Sequence, residues 1–155
     1  MTAAEPTRVL VLNGPNLSRL GSREPDKYGT LDYTALRVAC RGYGEVLGLT
    51  VETRVTNDEA ELIAWLAEAV DTRRAVVLNP AAFTHYSYSV RDAAAQVTGA
   101  GLPLVEVHLT NPTSREEFRH RSVISGVATG TIAGFGFDSY RLALAAIAGL
   151  QPPAV

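Results

Sequence analysis

Lysine and cysteine are almost missing from these 155 residues, which hold one of each, Lys27 and Cys40. A lone cysteine excludes an intrachain disulfide, and the helical, apolar surroundings of Cys40 read as a buried thiol with little chemistry. Lys27 stands in a polar loop instead of a buried pocket of the kind that lowers an amine pKa for imine formation, so Schiff-base catalysis is not expected. Positive charge is not in excess either. With a net charge of -2 and a pI near 5.9, the chain has no concentrated basic surface for nucleic acid or an anionic membrane. Arg73-Arg74 is too short a run to supply one. No segment reaches the roughly 18 uninterrupted apolar residues of a membrane helix. Met1 to Pro6 lacks the basic start and apolar stretch of a secretion signal. The expectation is a soluble, cytoplasmic protein.

Several signature loops are absent too. Asn13-Gly14-Pro15-Asn16 is neither a G-x-G-x-x-G turn nor a Walker loop, and no G-x-S-x-G elbow occurs. A phospho-receiver needs an aspartate at the end of the third strand, where Asn79 stands. His85, His108 and His120 fall in no paired-ligand spacing such as H-E-x-x-H. Neither a cofactor nor a metal is expected.

What is present is apolar sequence in a regular alternation. Hydrophobic residues make up 46%, enough for one well-buried core and too little for two ordinary domains. Residues 1–155 therefore read as a single domain, with 1–6 and 151–155 as flexible ends. Arg8 to Leu12, Thr50 to Val55, Ala75 to Leu78, Leu104 to His108 and a stretch around Thr129 to Gly134 read as strands. Between them the spacing predicts helices. One carries Leu36, Val38, Ala39, Tyr43 and Leu47 and stops at Gly48. The next is capped by Asn57 or Asp58 and carries Leu62, Ile63, Trp65, Leu66 and Val70. A third runs from about Ser89 to Val97, a short one from Arg115 to His120, and the last is capped by Asp138 and carries Tyr140, Leu142, Leu144 and Ile147. Strand and helix in alternation imply an α/β fold, a flavodoxin-like, doubly wound, five-stranded parallel sheet in three layers.

Polar residues gather at the strand ends of such a sheet, where ligands bind. Asn13 and Asn16 follow the first strand, Asn79 and His85 the third, and His108, Thr110 and Asn111 the fourth. Glu106 and His108 are two apart on a strand and share a face, so the carboxylate orients or charges the imidazole, unless the pair is only structural. Arg115 and Arg119, four apart, share a helical face, either solvated beside Glu116 and Glu117 or aimed at an anionic, hydroxylated substrate. Tyr28 is a loop anchor or a base. Lowering a phenol by two or three pKa units takes roughly 3 to 4 kcal/mol, which one or two close arginines supply in a partly dry site.

These residues fall into a longer series. Asn13-Gly14-Pro15-Asn16-Leu17, Leu20-Gly21, Arg23-Glu24-Pro25, Tyr28-Gly29, Asn57-Asp58-Glu59-Ala60-Glu61-Leu62, Asn79-Pro80-Ala81-Ala82-Phe83-Thr84-His85, Glu106-Val107-His108 and Arg115-Glu116-Glu117-Phe118-Arg119-His120 resemble type II 3-dehydroquinate dehydratase, from about Val9 to Leu150. The resemblance implies a cofactor-free hydro-lyase of the shikimate pathway, which removes water from 3-dehydroquinate through an enolate to give 3-dehydroshikimate. It implies Tyr28 as the base at C2, Arg23 on a mobile loop lowering its pKa, and Arg115 as a second cation beside it. Asn16 would hold a water at the enolate oxygen, His108 would protonate the departing hydroxyl, and Glu106 would keep that imidazole charged. Asn79, His85 and Arg119 would bind the substrate hydroxyls, and the amides of Leu109 and Thr110 its carboxylate. Asp92 matches a residue that reaches a neighbouring subunit's site, in a homododecamer built from trimers.

The chain departs from the family pattern at Thr110, where serine is usual, at Ala60 (glycine), at Arg121 (histidine) and at Pro112-Thr113 (an aliphatic residue and histidine). Two other readings stand beside this one: a non-catalytic flavodoxin-like module that binds a small carboxylate, and a lyase acting on a related cyclic hydroxy-acid.

Overall fold

Five parallel strands lie in the order β2-β1-β3-β4-β5. They are β1 Arg8–Asn13, β2 Thr50–Val55, β3 Ala75–Asn79, β4 Leu104–His108 and β5 Gly130–Ala133. This computed structural model describes residues 5–22, 26 and 31–150. The expected loop residues Arg23 and Tyr28, and the expected flexible ends 1–4 and 151–155, lie outside the described residues. Among the described residues four α-helices cover the sheet, α1 Tyr33–Leu47, α2 Glu59–Asp71, α3 Tyr88–Gly99 and α4 Asp138–Leu150. The strand order is that of a flavodoxin-like sheet, and its direction of winding reverses between β1 and β3.

Alternation along the strands divides the core in two. Val9, Val11, Val77, Val105 and Val107 face Leu36 and Cys40 of α1 and Tyr140, Ala143, Leu144 and Ile147 of α4. Leu10, Leu12, Val76, Leu78 and Leu104 face Leu62, Leu66 and Ala69 of α2 and Val90, Ala93, Ala94 and Val97 of α3. Each fully buried leucine stabilises the fold by about 1.5–3 kcal/mol. Burial also pushes the Cys40 thiol up to about 12, so the lone cysteine is an inert core residue.

The helix boundaries follow local chemistry. Asp32, Asp58 and Ser87 cap α1, α2 and α3 by accepting the amides of Ala35, Ala60 and Val90. Gly48 ends α1 in the left-handed region at φ 73°. Two expectations are corrected. Val38 lies in α1 but points to solvent, because two residues past Leu36 is about 200° around the helix; Leu36, Cys40 and Gly44 form the buried stripe instead. Residues 115–120 are not one helix. Pro112–Ser114 and Glu117–His120 are separate 3-10 turns, with Arg115 extended between them at φ -111° and ψ -158°.

Candidate active site

At the carboxyl ends of β1, β3 and β4 the chain leaves the sheet in three turns that wall a single pocket. Its lining is Pro15, Asn16 and Leu17 after β1, Asn79, Ala81, Ala82 and His85 at β3, His108, Leu109 and Thr110 at β4, and Pro112, Arg115 and Arg119 beyond. The loop after β1 reaches this position because Gly14 has no side chain. A Cβ there would lie 2.6 Å from the carbonyl oxygen of Pro80, and the Gly14 amide donates to the Asn79 carbonyl at 2.8 Å. Asn16 then turns through φ 69°, and its amide donates to Oδ1 of Asn57 at 2.9 Å. Asn57 therefore pins the pocket loop, leaving Asp58 to cap α2.

The floor is a chain of buried polar groups. Nδ2 of Asn79 donates to the Tyr140 hydroxyl at 2.8 Å, which donates to Oδ1 of Asn13 at 2.6 Å. Nδ2 of Asn13 donates on to the Arg54 carbonyl at 3.1 Å, and Oδ1 of Asn79 accepts the Ala81 amide at 3.1 Å. Both side chains are thereby fixed, as buried amides must be. Burial pushes the Tyr140 phenol up, so it serves as a neutral bridge.

Glu106 and His108 share the face of β4 turned toward α3, and Nε2 of His108 lies 2.5 Å from Oε2 of Glu106. Glu106 is fully buried. Burial opposes its ionisation, but the bond and charge of His108 and the hydroxyls of Thr84 and Ser125 outweigh it and hold the carboxyl below its ordinary value. Oε1 accepts from Ser125 at 2.7 Å and from Ser122 at 3.0 Å, and Oε2 accepts from Thr84 at 2.5 Å. Sequence reasoning misses these three hydroxyls. The signal that finds them is Glu106 itself, since a carboxylate in mid-strand demands donors from elsewhere in the chain.

His85 enters from the turn after β3. Its Nδ1–H donates to the Arg121 carbonyl at 2.8 Å, which leaves Nε2 as an acceptor in the neutral ring. Burial, reinforced by the positive charge of His108 and Arg119, holds its pKa below the usual histidine value, against the pull of the Arg121 carbonyl. Arg115 and Arg119 both reach the pocket, though not from one helix. The Arg115 side chain is 10% exposed and its Nη1 donates to the Thr110 hydroxyl at 3.4 Å. Arg119 donates through Nε to Glu116 at 2.8 Å. Local pairing with Glu116 and a place in the pocket are thus compatible for Arg119.

Of the expected site residues, Asn16, Asn79, His85, His108, Leu109, Thr110, Arg115 and Arg119 line the pocket, and Glu106 stands directly behind it. Asp92 does not. It is exposed on α3, where it pairs with Arg91 at 2.8 Å. Among the described residues no group of three histidine, cysteine or carboxylate side chains is placed to hold a metal, and no helix is long and apolar enough to cross a membrane. The pocket can bind a small hydroxylated anion and move a proton to it.

Comparison with known proteins bears on that chemistry. The sequence profile described as dehydroquinase class II matches residues 7–148. A 3-dehydroquinate dehydratase of Salinispora tropica is 58% identical over 137 residues, 88% of this chain and 94% of the relative. One from Bacillus licheniformis is 50% identical over 136 residues, 88% of this chain and 92% of the relative. The crystal structure of a type II dehydroquinase from Propionibacterium acnes superposes with a TM-score of 0.89 at 46% identity, covering 96% of this chain and 99% of that one.

Proposed function

Because the chain belongs to the class II dehydroquinase family, we propose that it is a 3-dehydroquinate dehydratase, a hydro-lyase converting 3-dehydroquinate to 3-dehydroshikimate through an enolate. The observation that carries this reading is the convergence on one pocket of a histidine backed by a buried carboxylate with two arginines and two further polar side chains, Asn79 and His85. A module that only binds a carboxylate would need the arginines but no charged acid.

The reaction runs from these parts. Tyr28, lowered in pKa by Arg23 and Arg115, takes the proton at C2. A proton beside a ketone is acidic only as the enolate is stabilised, which Asn16 does through a bound water. Loss of hydroxide from the enolate needs a general acid, and His108, held as an imidazolium by Glu106, supplies the proton. Neutral His85 accepts a substrate hydroxyl, Asn79 and Arg119 bind its neighbours, and the amides of Leu109 and Thr110 hold the carboxylate. No cofactor or metal takes part. The chain works as one catalytic domain in the cytoplasmic shikimate pathway, in a homododecamer of trimers where Asp92 reaches a neighbouring subunit's site. The exposure of Asp92 outside its own pocket supports that last assignment.

Ultraviolet absorbance on mixing the purified protein with 3-dehydroquinate tests the reading, because the conjugated product absorbs and the substrate does not. A flat trace from folded protein refutes it. Tyr28→Phe should lower turnover by about 10²- to 10⁴-fold with substrate binding kept; near-normal turnover would place the base elsewhere.

A further inference from the structure

Among the described residues, the side chains other than His108 that donate to Glu106 all do so through hydroxyls, and they come from two other parts of the chain. Thr84 stands in the turn after β3, and Ser122 and Ser125 in the loop between β4 and β5. The Thr84 carbonyl accepts the Val123 amide at 2.7 Å, which ties turn and loop together. The direction of one bond comes from counting. A hydroxyl has one proton and two lone pairs. Ser122 Oγ accepts the amides of Ile124 and Ser125, both at 3.0 Å, so its lone pairs are taken and it can only donate, to the Glu106 carboxylate at 3.0 and 3.1 Å or to the Thr84 hydroxyl at 3.0 Å, which itself donates to Glu106. An ionised carboxylate offers about four acceptor sites, and three hydroxyls with the His108 N–H fill them. A protonated Glu106 would have to turn an O–H against one of these donors.

We propose that Thr84, Ser122 and Ser125 are positioning residues for the reaction: by saturating Glu106 with donors they keep it an acceptor only, direct the His108 Nε2–H at it, and make Nδ1 the nitrogen that delivers the proton. The inference rests on the dehydratase reading for that proton's destination. In the elimination step the Nδ1–H bond breaks and its proton goes to the departing hydroxyl oxygen. The C–O bond breaks with its electron pair on that oxygen, the enolate's electrons form the C=C bond, and water leaves. His108 is then a neutral imidazole that still holds its Nε2 proton against Glu106. Among the described residues, the other titratable and charged groups near Glu106 and the loop covering it are His85 from the turn after β3 and Arg119, His120 and Arg121 from the segment after β4.

Nitrogen-15 spectra of the full protein, labelled at its three histidines, read the tautomer directly. In the neutral ring of His108, Nε2 should carry the proton and Nδ1 none; a protonated Nδ1 overturns the proposal. Because this readout needs no turnover, it stays separate from a failure of the dehydratase reading, which the absorbance test detects. In kinetics, Thr84→Val should lower kcat about tenfold with KM within about twofold. The acid limb of the kcat profile should move to higher pH, because losing a donor to the charged form raises the carboxyl pKa. Thr84→Ser should restore both. Ser125→Ala, which leaves the backbone bonds of Ser122 intact, should repeat the Thr84→Val result if that variant does not fold. Wild-type kcat and an unmoved acid limb in Thr84→Val or Ser125→Ala, or a serine variant as impaired as valine, overturns the proposal.

Discussion

Glu106 and Glu68 each hold a nitrogen donor at hydrogen-bond distance, His108 inside the molecule and Arg54 at its edge. Glu68 on α2 receives a fork from Arg54 at 2.6 and 3.0 Å. Arg54 also donates to Glu52 at 2.9 Å and lies 5.6 Å over the Trp65 ring, while Arg74 donates to Glu52 at 2.9 Å. The carboxylates there are open, 39% exposed at Glu68 and 51% at Glu52. Water and salt compete for every bond, so the network holds β2 against α2 without much net energy. Glu106 is fully buried, out of reach of bulk water. Each of its donors is a protein group, and removing the charge leaves all of them facing a neutral atom. A carboxylate bonded to a nitrogen donor is a fastening open to solvent at the surface and a closed, fully satisfied unit in the interior.

The largest expected effect tests the interior side of that contrast. Glu106→Gln keeps shape but turns an NH2 toward hydroxyl donors, and kcat should fall about 10²- to 10³-fold, with stability falling by about 3–5 kcal/mol. Steady-state kinetics and urea unfolding measure both; a kcat within about tenfold of wild type would reduce the buried pair to a structural contact. Tyr140→Phe should cost about 1–3 kcal/mol, because it leaves Asn13 and Asn79 without their shared partner. An unchanged urea midpoint would mean that the two amides find other partners.

Acidification separates the two regions by salt. Glu106, Glu52 and Glu68 all have folded pKa values below their ordinary ones. Each therefore contributes stability that is present above the unfolded value of about 4.3 and is lost as pH falls through the folded one. His85 is lowered as well, so its share is complete above about 6.5 and declines below it. In urea titrations repeated at about 1 M salt, the surface share should vanish and the Glu106 share persist. Complete loss of the acid dependence in salt would contradict the interior assignment. The smallest effect belongs to Arg54→Met, which should cost about 1 kcal/mol or less and leave kcat unchanged. A larger loss by urea unfolding would make the edge network as important as the buried one.

Much of the fold was legible because its signals are local. The strands are short apolar runs bounded by turn residues, and Asp58 and Gly48 mark helix ends through their own side-chain and backbone chemistry. The pocket residues were legible because parallel sheets bring strand ends together whatever the loops do. The segment after β4 misled because six residues with charged spacing look helical. Asn111 instead caps a turn at Pro112–Ser114, and the turn Glu117–His120 beyond it is too short to propagate a helix. The hydroxyls on Glu106 stayed hidden for another reason: Thr84 and Ser125 are 22 and 19 residues away, and serine in a loop carries no periodic pattern. Tyr140 was legible only as part of an apolar face, since spacing reports where a side chain points and not what its oxygen meets.

The bond from Tyr140 to Asn13 joins residues 127 apart. During synthesis on the ribosome, β1, β3 and β4 all emerge well before α4. Until that last helix docks, Asn13 and Asn79 lack the hydroxyl that sets them, and the pocket has no floor. A growing chain can therefore pair four of its strands before α4 arrives to set the two amides at their ends.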